Sequence, residues 1–269
     1  MKFTIITVNL NNVEGLKRTK ESIIFQTYSD FEWIIIDGGS TDGSKDVIEK
    51  NQQYFSYWCS EPDKGIYNAM NKGITHANGD YLLFLNSGDE LYDNNVLLEI
   101  ANLNSKADII SGQVVRMDNH HLLRRYDDNI LIQLWRDTLN HQGTFIKRSL
   151  FKDSLYDETY QIVSDWKFWW ETLVLKNTSY KFVDIVVAKQ DMNGISSSPQ
   201  ANPWIHERQR LINEIIPQQF QKMLEENDRN HVYISRANDL YFTNMRLYSL
   251  GSKLLALLVK LANFLPKRT

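Results

Sequence analysis

Residues Trp33-Ile34-Ile35-Ile36-Asp37-Gly38-Gly39-Ser40-Thr41-Asp42-Gly43-Ser44 decide the fold. Four consecutive apolar residues without polar alternation read as a strand buried on both faces, as in a parallel sheet. The run ends on an acid and two glycines, which suit a tight turn. Asp42 and Ser44 stand where a following helix needs a cap. Strand, turn and helix in this order make half of a βαβ unit.

The same grammar repeats on either side. Phe3–Val8 reads as a strand and Val13–Phe25 as a helix, with Val13, Leu16, Ile23 and Ile24 at helical spacing. Ser44–Asn51 reads as a helix, Tyr54–Trp58 as a strand, Ile66–Ala77 as a helix and Tyr81–Leu85 as a fourth apolar strand. The pattern predicts an α/β fold whose sheet is covered by helices on both faces. In such sheets ligands collect at the carboxyl ends of the strands. Polar residues stand at each of those ends: Asn9, then Asp37, then Glu61 and Asp63, then Asn86 to Asp89. Asp37 is placed to accept hydrogen bonds from a nucleobase or ribose. Asn86-Ser87-Gly88-Asp89 offers hard oxygen ligands to Mg²⁺ or Mn²⁺, a cation that neutralises a departing diphosphate. The same four residues also suit an ordinary β-turn.

Further on, Ile109–Val115 and Tyr180–Val187 read as strands and Ser164–Lys176 as a helix, its Trp166, Phe168, Trp169 and Trp170 packed in a core. Asp191–Pro203 is a loop rich in Ser, Asn and Pro, after which Trp204–Glu226 and the chain from Arg229 turn helical. The chain has 269 residues, of which 42% are hydrophobic and 23% charged, with a net charge of −3. That balance gives no reason to expect nucleic acid as a partner. A lone Cys59 has no partner for an intrachain disulfide and fits a reducing cytoplasm. The opening apolar run is too short for a signal peptide. The most apolar segment, Leu247–Leu265, is interrupted by Lys253 and Lys260, so no bilayer span is expected. From Leu240 to Thr269 there is no acid. Lys253, Lys260 and Lys267 recur on one helical face and leucines on another, an amphipathic pattern suited to an anionic membrane surface. The same leucine spacing suits packing on the chain's own domain or on a second copy, as a homodimer.

Five blocks, in order, resemble the family 2 glycosyltransferases: Ile5–Asn9, Gln26–Tyr28, Trp33–Ser44, Glu61–Gly73 and Ala77–Asp89. The resemblance implies a GT-A fold, a Rossmann-like, mixed and mainly parallel sheet flanked by helices. It implies a catalytic domain over 1–200, with a nucleotide-sugar half at 1–92 and an acceptor half at 93–200, followed by a helical C-terminal extension over 201–269. The activity implied is inverting transfer from a nucleotide-diphosphate sugar, UDP-linked, with Mn²⁺ or Mg²⁺ as cofactor. The acceptor implied is a glycan or glycolipid, lipid-diphosphate-linked, in bacterial surface polysaccharide such as O-antigen. The enzyme would then work in the cytoplasm, peripheral on the inner face of the cell membrane.

By that resemblance Thr7, Asn9, Asp37 and Asp63 line the nucleoside pocket. Asn86 and its turn take the place of the family's Asp-x-Asp motif. The family usually has acids where Asn86 and Gly88 stand, which leaves Asp89 as the clear metal ligand. Asn140–Ile146 resembles the segment that faces donor sugar and acceptor, which singles out His141. Ser164–Trp169 resembles the helix start that carries the catalytic base, here Asp165. A plainer account has Ser164 as N-cap and Asp165 favoured by the helix dipole. Two other readings compete. A sugar nucleotidyltransferase needs a Gly-rich, basic loop after the first strand, where this chain has Asn9-Leu10-Asn11-Asn12. A non-catalytic nucleotide-sugar-binding or scaffold homologue is suggested by the depleted metal motif and opposed by the presence of both Asp89 and Asp165.

Overall fold

The computed structural model describes residues 1–119, 129–194 and 203–229. Eight strands form one mixed sheet: β1 Phe3–Asn9, β2 Phe31–Asp37, β3 Tyr57–Ser60, β4 Tyr81–Phe84, β5 Glu90–Leu91, β6 Ile109–Arg116, β7 Thr144–Lys147 and β8 Tyr180–Gln190. The helices are α1 Val13–Ile24, α2 Ser44–Lys50, α3 Ile66–His76, α4 Val96–Asn102, α5 Ile130–Arg136, α6 Ser164–Trp169 and α7 Pro203–Ile215. The strand order is β3-β2-β1-β4-β7-β6-β8-β5. Its first four strands run parallel, as the apolar runs require. Then β7 pairs antiparallel with both β4 and β6, while β6 and β8 pair parallel.

Every residue of β1 and β4 is buried. Burying each Ile, Leu or Phe contributes on the order of 1.5–3 kcal/mol relative to leaving it in water. The predicted third strand begins three residues late, because Gln52–Tyr54 closes a 3₁₀ turn and the ladder pairs Ile34–Asp37 with Tyr57–Ser60. That register sets Asn9, Asp37 and Ser60 side by side on three adjacent strand ends.

The expected helix over 164–176 is present, but from Trp170 to Leu175 its turns widen to π-helix. Trp166, Phe168, Trp169 and Trp170 are all buried. The cap differs from the expectation. Val163 occupies the cap position without a side-chain cap bond, and the Ser164 hydroxyl has no partner among the described residues. The segment leading into the helix is held instead by Glu207 on α7, which accepts the backbone N–H groups of Gln161, Ile162 and Val163 at 2.6, 2.9 and 3.3 Å. Within the first turn, Asp165 Oδ1 accepts Trp166 N at 2.8 Å. The chain divides into two compact units, Met1–Ile215 and Ile216–Thr269, so α7 belongs with the sheet. The predicted helix over 204–226 stops at Pro217, whose ring cannot continue it, and resumes over 218–229. The basic, leucine-rich tail lies outside the described residues. Among the described residues no helix is long and apolar enough to cross a membrane.

Candidate active site

The carboxyl ends of β1, β2 and β3 form one corner. Asp37 is fully buried and accepts four hydrogen bonds. Asn9 Nδ2 and Ser40 Oγ donate to Oδ1 at 2.7 and 2.6 Å, and Ser40 N and Ser60 Oγ donate to Oδ2 at 3.0 and 2.6 Å. Burial alone would raise this carboxyl's pKa, yet the donors from Ser40, Ser60 and Asn9 outweigh it and hold the group below the usual carboxylate range. The side chain of Asn9 cannot flip without facing Asp37 oxygen to oxygen, so its Oδ1 points away, buried and with no partner among the described residues. Asp63 lies against Gly38, where an added Cβ would meet its Oδ2 at 2.5 Å. Thr7 sits below this rim, fully buried, and its hydroxyl accepts the Trp33 indole N–H at 3.0 Å. Glu61 turns outward to Lys72 at 2.7 Å.

The turn after β4 forms the second corner. Asp89 is 5% exposed, and one of its oxygens accepts Asp191 N at 2.9 Å. Burial pushes its pKa up to about 7, helped by the Asp191 charge and opposed by the Asp191 amide and His141. Nearby in sequence, Asn86 Oδ1 is buried and has no partner among the described residues. Asp89 and Asn86 are oxygen donors of the kind that hard cations take. Among the described residues there is no cluster of three or more acidic, His or Cys side chains able to enclose one. The remaining ligands would come from a diphosphate and water.

Three elements meet at the third corner. Asp165 Oδ2 lies 3.1 Å from His141 Nδ1, and Asn86 Nδ2 lies 3.2 Å from His141 Nε2. With the amide donating to Nε2, the imidazole proton sits on Nδ1 and points at the carboxylate. Asp165 Oδ1 accepts Tyr67 OH at 3.0 Å and Trp166 N at 2.8 Å. The Asp165 side chain keeps 12% of its surface exposed and that of His141 19%. The fold thus joins Asn86, His141 and Asp165 in one chain of contacts, and separately joins Asn9 to Asp37.

Sequence reading missed Ser40, Ser60, Tyr67, Asp191 and Glu207. Ser40 stood in the quoted turn, and its hydroxyl could have been read as a partner for Asp37. Asp191 follows β8 and comes near Asp89 only because β5 pairs with β8, which no local pattern reveals.

A family model described as glycosyl transferase family 2 matches residues 4–168. The chain is 31% identical over 205 residues to a PGL/p-HBAD biosynthesis glycosyltransferase of Mycobacterium bovis (strain BCG / Pasteur 1173P2), covering 73% of this chain and 79% of the relative. It is 35% identical over 173 residues to an uncharacterized glycosyltransferase of Mycobacterium tuberculosis (strain CDC 1551 / Oshkosh), covering 61% and 66%. Among solved structures it resembles S. aureus TarS 1-349 in complex with UDP, with a TM-score of 0.62, 18% identity and coverage of 90% and 75%. It also resembles a mannosyltransferase from Pyrobaculum calidifontis in complex with GDP-Man and Mn²⁺, with a TM-score of 0.60, 14% identity and coverage of 94% and 80%. These likenesses show the fold, which is the expected GT-A arrangement.

Proposed function

The chain belongs to glycosyl transferase family 2, and on that premise we propose that it transfers a sugar, with inversion, from a nucleotide-diphosphate sugar to a hydroxyl of a glycan acceptor. The observation that carries this reading is the contact chain Asn86–His141–Asp165, which ties the turn expected at the donor's diphosphate to a partly exposed carboxylate.

In this reading the nucleoside lies over the strand ends. Asn9 and Asp63 border this corner, and Asp37 holds Asn9 and Ser40 in place. Thr7 supports the floor beneath this corner through its bond to the core residue Trp33. Asp89 and Asn86 would hold Mn²⁺ or Mg²⁺, which supplies charge neutralisation of the leaving diphosphate. Asp165 takes the acceptor hydroxyl's proton as that oxygen bonds to the anomeric carbon. The bond from that carbon to the diphosphate breaks on the opposite face, its electron pair leaves with the phosphate oxygen, and the configuration inverts. His141 faces the donor sugar and orients the carboxylate through its Nδ1–H.

The donor is assigned as UDP-linked. The TarS structures include one in complex with UDP-GlcNAc, and the archaeal neighbour holds GDP-Man, so both nucleotides enter the test. The acceptor is assigned as a lipid-diphosphate-linked glycan at the inner face of the membrane, with the basic tail resting on the surface. The relative named for PGL/p-HBAD biosynthesis supports a cell-envelope glycan as product.

The test is a panel of UDP-, GDP- and dTDP-sugars with Mn²⁺, Mg²⁺ or EDTA, read by thermal shift and nucleoside diphosphate release. Metal-dependent stabilisation and release with one UDP-sugar is expected. Silence across the whole panel would contradict the reading.

A further inference from the structure

Helix α3 carries the block Ile66–Gly73, whose sequence resemblance pointed to the nucleotide-sugar half. Its side chains reach elsewhere. Asn71 Oδ1 accepts Tyr156 N at 3.0 Å, while its Nδ2 donates to Tyr156 O at 2.8 Å and to Glu158 at 2.9 Å. Asn68 donates to the other oxygen of Glu158 at 2.9 Å. Tyr67 donates toward Ile162 O at 2.5 Å and Asp165 Oδ1 at 3.0 Å. One turn of helix therefore grips residues 156 to 165 at several points, all of them distant in sequence.

We propose that Tyr67 is a positioning residue for Asp165, and that α3 is the strut through which the donor half of the fold aims that carboxylate. The inference rests on the reading of Asp165 as the base. The phenol's one proton is shared between two acceptors, with the shorter contact to the Ile162 carbonyl and the longer to the Asp165 carboxylate, so both are held about a single point. The backbone between them is held from the other side by Glu207, through the amides of residues 161–163. With Oδ1 occupied by Tyr67 and Trp166, the lone pair left for an acceptor hydroxyl is on Oδ2, beside His141. Without the phenol the carboxylate gains freedom about its terminal torsion, and that orientation is populated less of the time. Burial and the Asp165 charge keep the phenol protonated far above neutrality, so the donor is present throughout the working pH range.

The Tyr67→Phe variant tests this cleanly, because the ring and its packing 5.5 Å from the Tyr156 ring remain. With the donor that the panel identifies, kcat should fall about tenfold or more. KM for donor and UDP binding by calorimetry should stay within about twofold. In the Asp165→Asn background the same change should cause no further loss. Independently of turnover, Asp165→Asn should shift the Tyr67 resonance in spectra of ¹³Cζ-labelled tyrosine. An unchanged kcat in folded Tyr67→Phe, a parallel loss of UDP binding, or an unmoved Tyr67 resonance would each overturn the proposal. If Asp165→Asn itself retains wild-type turnover, the reading of Asp165 as base fails. If Asp165→Asn is inactive and Tyr67→Phe is fully active, only the positioning role fails.

Discussion

Gly88 occupies φ +106°, and a Cβ there would come within 2.9 Å of Asp191 Oδ2. An acid at this position, as the family usually has, would combine backbone strain with a collision against another carboxylate. Gly88→Asp should therefore lower unfolding free energy by about 1–3 kcal/mol and leave Mn²⁺ affinity no stronger. Urea denaturation and metal titration check both, and a stabilised or tighter-binding variant would contradict the account. At Asp37, replacing one carboxylate oxygen by an amide nitrogen sets its N–H groups against Ser40 N in one orientation or Asn9 Nδ2 in the other. Asp37→Asn should cost about 1–3 kcal/mol of stability and weaken nucleotide binding, measured by denaturation and calorimetry. Asp37 was legible in the sequence because a carboxylate at the end of an apolar run is conspicuous. Its partner Ser60 was not, because only the register of β3 on β2 brings it there.

The start of α6 shows how one element depends on another. Glu207 on α7 accepts three backbone N–H groups of the segment that leads into the helix. Glu207→Ala should cost about 1–3 kcal/mol, while Glu207→Gln, which keeps one acceptor, should recover part of it. Amide exchange at residues 161–163 reports the same loss locally, and unchanged protection in the alanine variant would count against this anchor. Helices and parallel strands of the first half were legible because their apolar periods are unmixed. The antiparallel β7 was not, since Thr144–Lys147 is short and its apolar residues follow a segment read for chemistry. The expected third strand slipped by three residues because Tyr54 and Phe55 are as apolar as the residues that pair.

For the molecule as a whole, the compact first unit ends at Ile215. The domain boundary expected at residue 200 would remove α7 and with it Glu207. A chain of residues 1–215 should unfold in one cooperative thermal transition, whereas 1–200 should not. Equal transitions for both would place α7 outside the fold's needs. Acid stability follows from carboxylates held below their usual range. Burial would raise Asp157, but Lys167 and Thr159 bring its pKa from 3.8 to about 2, and Asp37 and Glu32 are also lowered. A lowered folded pKa adds stability that is fully present above the unfolded value and lost as pH falls through the folded one. These groups make stability decline toward pH 2, while Asp89, raised to about 7, subtracts stability as pH climbs from about 4 through 7. A stability maximum in the mildly acidic range is therefore expected by circular dichroism. The central claim is that Asp165 takes the acceptor's proton during transfer from a nucleotide sugar. Its most direct test compares wild type and Asp165→Asn for nucleoside diphosphate release and for donor binding, using the responsive donor of the panel. The account predicts that binding persists while release falls by about a hundredfold or more, and release at the wild-type rate would contradict it.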